Sequence, residues 1–177
     1  MKVSVFVATS MDGYIAREDN SIDWLENLEA NGDQDYGYHE FISNIDAILM
    51  GRNTFDVVKK LKDWSYNGMP IFVLTHHPLD LHPGKYTNVH PIQGEPRQVL
   101  ADLEKRGFNH LYIDGGKTIT EFLSASLVDE MIITRIPILL GKGIPLFGSL
   151  EKEIKLELKS TIDFKDGLIQ NTYKVFK

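Results

Sequence analysis

Cysteine is absent from the chain. Its absence excludes a disulfide framework, a zinc–thiolate or iron–sulfur centre and any catalytic thiol. Long hydrophobic runs are missing too: none approaches the ~20 apolar residues that span a bilayer. The opening stretch, Met1-Lys2 followed by Val3-Ser4-Val5-Phe6-Val7-Ala8, is too short for the core and cleavage site of a secretory signal, and it alternates as a strand would. Basic residues are outnumbered, 19 Lys and Arg against 25 Asp and Glu, for a formal charge of −6. Broad binding to DNA or RNA backbones draws on clustered Lys and Arg, so this balance argues against it. A small phosphorylated ligand needs only a local pocket of donors and stays open. Proline (7) and glycine (14) are scattered as single breaks, with no linker, repeat or low-complexity tract. What remains is 177 residues, 42% hydrophobic and 25% charged. That is the balance of one globular domain over 1–177, able to bury roughly 70% of its unfolded surface without a staple. The expectation is a cytoplasmic protein with no membrane or nucleic-acid partner.

Apolar β-rich runs alternate with helical stretches. Strands are expected at Val3 to Thr9, Ala47 to Met50, Ile71 to Thr75, Val89 to Ile92 and His110 to Asp114. Helices are expected at Tyr38 to Asn44, Thr54 to Lys60, Pro96 to Arg106 and Thr118 to Ser124. Parallel neighbours require crossovers, so the alternation predicts an α/β domain with a largely parallel sheet. After Ser126 the pattern changes: Val128 to Pro137, Ile154 to Ile162 and Leu168 to Phe176 read as strands without intervening helices. The sheet should finish with antiparallel strands, its last hairpin turned by Asp163-Phe164-Lys165-Asp166-Gly167. Such sheets bind ligands at the carboxyl ends of their strands.

Three strand ends carry motifs. Thr9-Ser10-Met11-Asp12-Gly13-Tyr14-Ile15-Ala16 follows the first strand, and its Asp-Gly permits a tight turn. The polar stretch from Arg17 to Gly37 then reads as a lid or binding loop, the alternative being a surface excursion. Met50-Gly51-Arg52-Asn53-Thr54-Phe55 offers a forked cation and a helix start suited to phosphate, or simply a helix with a surface arginine. Leu111-Tyr112-Ile113-Asp114-Gly115-Gly116-Lys117-Thr118 runs an apolar strand through Gly-Gly into a helix, which suits a pyrophosphate, or allows tight packing. It matches neither the Rossmann nor the Walker pattern. His76-His77 lacks a third ligand at a recognisable spacing, so a polar loop is preferred to a metal site.

Together these motifs resemble the dihydrofolate reductase fold, and more closely the reductase (RibD C-terminal) domain of riboflavin-biosynthesis proteins and its stand-alone relatives. The telling pieces are Ser10-Met11-Asp12-Gly13, Met50 to Phe55, Asp114-Gly115-Gly116, and the run from Leu127-Val128-Asp129-Glu130 through Pro137-Ile138-Leu139-Leu140-Gly141-Lys142-Gly143 to Pro145-Leu146-Phe147. The resemblance implies a three-layer α/β fold of dihydrofolate reductase type: a mixed, mostly parallel sheet flanked by helices, with a C-terminal antiparallel hairpin. It also implies NADPH across the strand ends. Arg52 and Thr54 would contact its adenosine phosphate region, and Gly115, Gly116, Thr118 and Ile119 its pyrophosphate. Thr75 and His76 would lie beside the adenine ribose, with Gly51 at the same strand end. Ala8 and the turn with Gly13 and Ile15 would flank the nicotinamide. On the substrate side fall Trp24, in Ile22-Asp23-Trp24-Leu25, and Phe41. Asp35, in Asp33-Gln34-Asp35-Tyr36, and Asp12 are the candidate catalytic carboxylates.

The implied activity is NADPH-dependent hydride transfer to a small heterocyclic or phosphoribosylamino-pyrimidine-like substrate, as in 5-amino-6-(5-phosphoribosylamino)uracil reductases, with the loop from Asp12 to Tyr36 closing over it. The riboflavin enzyme usually comes joined to a zinc deaminase, which needs cysteines this chain lacks, so a stand-alone reductase of another substrate stands beside it. A true dihydrofolate reductase and an NADPH-binding sensor or interaction module without turnover are the alternatives. The apolar C-terminal strands, with Ile132-Ile133, Ile136 and Ile138-Leu139-Leu140, suggest a homodimer.

Overall fold

A computed structural model describes residues 1–25, 35–61, 66, 68–82, 84, 86–164 and 167–177. Its strands are β1 (Lys2–Ser10), β2 (Tyr14–Ala16), β3 (Ala47–Gly51), β4 (Ile71–Leu74), β5 (Val89–Ile92), β6 (His110–Asp114), β7 (Glu130–Ile136), β8 (Ile144–Pro145), β9 (Leu156–Asp163) and β10 (Ile169–Val175). Its helices are α1 (Tyr38–Ile42), α2 (Arg52–Val58), α3 (Pro96–Lys105) and α4 (Gly116–Ser124). Eight strands form one sheet in the order β5-β4-β3-β6-β1-β7-β10-β9. Strands β5 to β7 in that order run parallel, and β10 pairs antiparallel with both β7 and β9. The expected mixed sheet with its antiparallel C-terminal end is what the backbone forms.

Strand alternation divides the core into two layers. On one face Val3, Val5, Leu49, Leu111, Ile113 and Met131 pack against Val99 and Leu103 of α3 and Ile119 and Phe122 of α4. On the other, Phe6, Ile48, Met50, Ile71, Val73 and Tyr112 pack against Phe41 of α1 and Phe55 and Val58 of α2. Helices therefore cover both faces, as a parallel sheet requires.

Local chemistry fixes the helix ends. In α3 the Glu95 and Gln98 side chains form a reciprocal capping box, and Pro96 takes the first turn, where its missing N–H costs nothing. Its end is closed by Gly107 at φ +95, with Phe108 N–H on Leu103 C=O at 3.2 Å and Gly107 N–H on Glu104 C=O at 3.0 Å. α4 ends the same way, but Ser126 holds the left-handed position at φ +58. There Leu127 N–H bonds Phe122 C=O at 3.0 Å and Ser126 N–H bonds Leu123 C=O at 2.9 Å.

Two elements lie outside the sequence expectation: β2 and β8 pair as a separate antiparallel ribbon. α2 also begins two residues before the expected Thr54, with Gly51 as its N-cap. The last hairpin closes through Phe164 N–H on Leu168 C=O at 2.9 Å, and Gly167 at φ +86 sits in the expected Asp-Gly turn, whose Lys165 and Asp166 lie outside the described residues. Among the described residues no helix is long and apolar enough to cross a membrane.

Candidate active site

β6 enters the sheet between β1 and β3, after the chain has already passed outward through β4 and β5. The crossovers leave that position in opposite directions, so a crevice opens beyond the carboxyl ends of β1, β3 and β6. A cleft of about 600 Å³ occupies it.

One wall gathers the polar strand-end motifs: Gly51, Arg52 and Thr54 after β3, Thr75 and His76 after β4, and Gly115, Gly116 and Thr118 after β6. The first amides of α4 have no carbonyl partner within the helix, so the wall carries unpaired N–H groups and the positive end of a helix dipole. Arg52 is held in place, its Nε donating to Asp56 at 2.9 Å and its Nη1 to the Pro78 carbonyl at 3.0 Å. The two glycines serve close packing. A methyl at Gly115 would strike the Thr54 hydroxyl, and one at Gly116 would lie 2.6 Å from the Pro145 carbonyl, pinning β8 onto the start of α4. Gly115 also holds φ +95. The amides and Arg52, rather than space left by missing side chains, are what suit a phosphorylated cofactor. Ala8 and Ile15 line the same cleft.

The cleft is lined as well by the apolar and aromatic side chains of Phe6, Val57, Leu61, Tyr66 and Tyr112, and by the carboxyl of Asp114. Asp114 ends β6 on the face that carries Tyr112, and its Oδ1 accepts the Gly115 N–H at 2.7 Å. Burial pushes its carboxyl up to about 6, against smaller opposing contributions from the Gly115 amide and the Tyr112 hydroxyl. The Tyr112 hydroxyl donates to the Phe6 carbonyl at 2.9 Å while also bonding the Asp114 side chain. Tyr38 and Tyr66 bond each other within reach of this charge; burial and Asp114 push Tyr38 up to about 12 and Tyr66 and Tyr112 higher still. All three tyrosines stay neutral, and half-buried Asp114 is the member of this group that titrates closest to neutrality.

The carboxylates singled out from sequence sit elsewhere. Asp12 accepts from Ser10 Oγ at 2.6 Å and from the amides of Leu140 at 3.1 Å and Gly141 at 2.8 Å, which hold its carboxyl below the usual range. It fastens the turn after β1 to the loop after β7 and does not line the cleft. Asp35 caps α1: it accepts the His39 amide at 2.6 Å and the Gly37 amide at 3.2 Å, and bonds His39 Nδ1 at 2.6 Å, again lowering its pKa. Trp24 is buried with Ile136 and Leu168, an anchor for its loop, and Phe41 packs beneath Phe6 at 4.9 Å between ring centroids. Ile119 is wholly buried, and Gly13 opens to the other side of its turn. Of the long loop, Asn20, Ile22 and Leu25 reach the cleft and Arg17 grips Asp23 at 2.6 Å; residues 26–34, with Asp33, lie outside the described residues. Asp114, Tyr112 and Phe6 escaped a reading that followed loops. Their signal was the period-2 alternation that puts Tyr112 and Asp114 on one face of β6.

The RibD C-terminal domain model matches residues 1–170 of this chain. The chain belongs to the RibD C-terminal domain family. A crystal structure of a Shewanella sp. PV-4 protein named for riboflavin biosynthesis shares 42% of this sequence, superposes with a TM-score of 0.92, and is covered in full by this RibD-type chain and covers it in full. YwjB of Bacillus subtilis (strain 168), an uncharacterized protein, is 38% identical over 165 residues, 92% of each chain. Dihydrofolate reductase from Enterococcus faecalis, solved with NADP(H), has 17% identity and a TM-score of 0.67 over 99% of this chain and 97% of its own. That likeness places the RibD-type domain in the dihydrofolate reductase fold.

Proposed function

We propose that this protein is an NADPH-dependent reductase that adds a hydride to a C=N or C=O bond of a small heterocyclic substrate, with Asp114 delivering the accompanying proton. The observation that carries the reading is that a half-buried carboxyl of raised pKa, Asp114, shares one strand-end cleft with the first residues of α4 and Arg52. NADPH would be held by Arg52, Thr54, Thr75, His76 and the amides of Gly116 to Thr118, and supplies the hydride. The protein's own work is alignment and exclusion of water. Phe6, Tyr66 and Tyr112 restrict solvent at Asp114, whose pKa is raised to about 6, so that a fraction carries a proton near neutral pH and can pass it to a basic atom of the substrate. Solvent returns the proton afterwards.

Fluorescence titration should show saturable NADPH binding, weakened at least tenfold in Arg52→Ala. NADPH consumption across pterin, aminopyrimidine and quinone acceptors should find turnover that falls about 100-fold or more in Asp114→Asn, the scale of a lost general acid. Binding with no consumption by any acceptor would favour a sensor module over an enzyme.

Assembly as a homodimer belongs to the same reading. It is supported by exposed apolar side chains gathered at one end of the sheet: Leu139 and Phe147 between β7 and β9, and Leu156, Leu158 and Ile162 on β9, whose outer edge pairs with no strand of the sheet. The occupant proposed for that edge is a second copy of this chain, whose own β9 would bring Glu157 against Lys159.

A further inference from the structure

The end of β1 parts two hollows. Ala8 faces the cleft, and Thr9, next along the strand, faces the opposite side of the sheet. A second pocket of about 200 Å³ opens there, between β1, β7, β10 and the chain that leaves β8. Thr9 stands directly across from Arg135 on β7, and Asn171 on β10 is diagonal to that arginine. Asn171 Nδ2 donates to Thr161 Oγ1 at 2.8 Å, and its Oδ1 accepts Arg135 Nη2 at 3.3 Å. A neutral amide therefore steers the guanidinium, which pairs with no carboxylate among the described residues and keeps most of its N–H donors uncommitted there. Thr9 is 3% exposed, and its hydroxyl bonds no described residue. Ser10 beside it differs, since its Oγ donates to Asp12 at 2.6 Å and accepts the Tyr14 amide at 2.9 Å. A hydroxyl withdrawn from water without a partner costs free energy. Buried Leu146, with Ile133, Met11 and Phe147, supplies the apolar lining.

We propose that this second pocket is a binding site for a small organic carboxylate, its acid group on Arg135 and Thr9 and its carbon body against Leu146, Ile133 and Phe147. The site stands apart from the reductase reading and needs no cofactor. The forked guanidinium meets both oxygens of a carboxylate in one plane. Such a ligand supplies what the described residues do not: a charged partner for Arg135 and an acceptor for the Thr9 hydroxyl. At about 200 Å³ the pocket is smaller than the roughly 300–1,000 Å³ that encloses a drug-sized molecule, which limits the carbon body to one ring or a short chain.

The test titrates benzoate and hexanoate into the isotope-labelled whole chain and follows its amides by NMR. It is run on the parent protein and on Leu158→Lys, the second to keep another copy of the chain off the rim at Phe147. At least one acid should bind one of these forms with a Kd below about 1 mM. It should move the amides of Thr9, Arg135 and Asn171 and leave those of Gly116 to Thr118 in place. Benzyl alcohol, which has the ring without the charge, acetate, which has the charge without the ring, and inorganic phosphate should each bind about tenfold more weakly or worse. Arg135→Gln should weaken binding about tenfold or more. Arg135→Lys keeps the charge but loses the fork and should weaken it about fivefold. Thr9→Val, which removes one hydrogen bond at constant shape, should weaken it about threefold. Binding of neither acid by either form overturns the proposal. So do shifts centred on the Gly116 to Thr118 amides, binding that survives Arg135→Gln, or phosphate or benzyl alcohol binding as tightly as the acids.

Discussion

Two aspartates show how environment assigns opposite roles to one side chain. Asp12 is ringed by donors and held as an anion; Asp114 loses solvent among Tyr38, Tyr66 and Tyr112, and its pKa rises to about 6. The folded-state pKa of Asp114 is raised, so the folded protein binds a proton that the unfolded chain releases between about pH 4 and 6. Stability must therefore fall as pH climbs through that window and stay lower above it. A shift of two units corresponds to about 3 kcal/mol, reduced to about 2 because the group faces an open cleft. Asp114→Asn should thus resist urea better than the parent chain at pH 8, by about 2 kcal/mol, and lose the advantage near pH 4; equal curves at both pH values would sink the assignment. Asp12→Asn should leave the pH profile of turnover unmoved while speeding hydrogen exchange at the Leu140 and Gly141 amides. At this scale the sequence was half legible. Arg52, Thr75 and Gly115 could be found because they stand at strand ends, where ligand chemistry is expected. The acid could not, because Asp12, Asp35 and Asp114 are the same residue type until burial and hydrogen bonds separate them.

Elements were easier to read than roles. β6 begins and ends where its apolar run placed it, because a doubly covered strand needs apolar residues on both faces. β2 and β8 were missed because strands of three and two residues carry no period; they exist through tertiary contact, Gly143 letting β8 approach the Ala16 carbonyl and Gly116 seating it on α4. The end of α4 offers a clean measurement. Ser126 is exposed and holds a left-handed conformation that suits glycine better. Ser126→Gly should stabilise the protein by about 0.5–1 kcal/mol, or roughly 1–4 °C in Tm, since relief of strain outweighs the added freedom of the unfolded chain. A lower Tm would show that the serine makes a compensating contact.

At the scale of the molecule, exposed apolar groups crowd the β9 end, while the opposite edge at β5 is short, four residues with exposed His90 and Pro91 in its middle. A short edge with proline discourages pairing; a long edge invites it. Light scattering should give twice the chain mass for the parent protein and the monomer mass for Leu158→Lys, with NADPH affinity unchanged because β9 is remote from the cleft. A parent protein that is monomeric at micromolar concentration would leave the exposed edge without its proposed occupant.

The position of β1 governs how the chain can be made. It leaves the ribosome well before the strands it pairs with, yet it lies between β6 and β7 in the sheet, and Ser4 reaches its neighbour Glu130 across 126 residues of sequence. At ordinary synthesis rates those residues take about 6–25 s to appear. For that interval Val3, Val5, Phe6 and Val7 form an unpaired β-prone run with no sheet to join. Nascent chains should therefore depend on a holding chaperone early and fold late, nearly at once, when β7 arrives on the far side of the first strand.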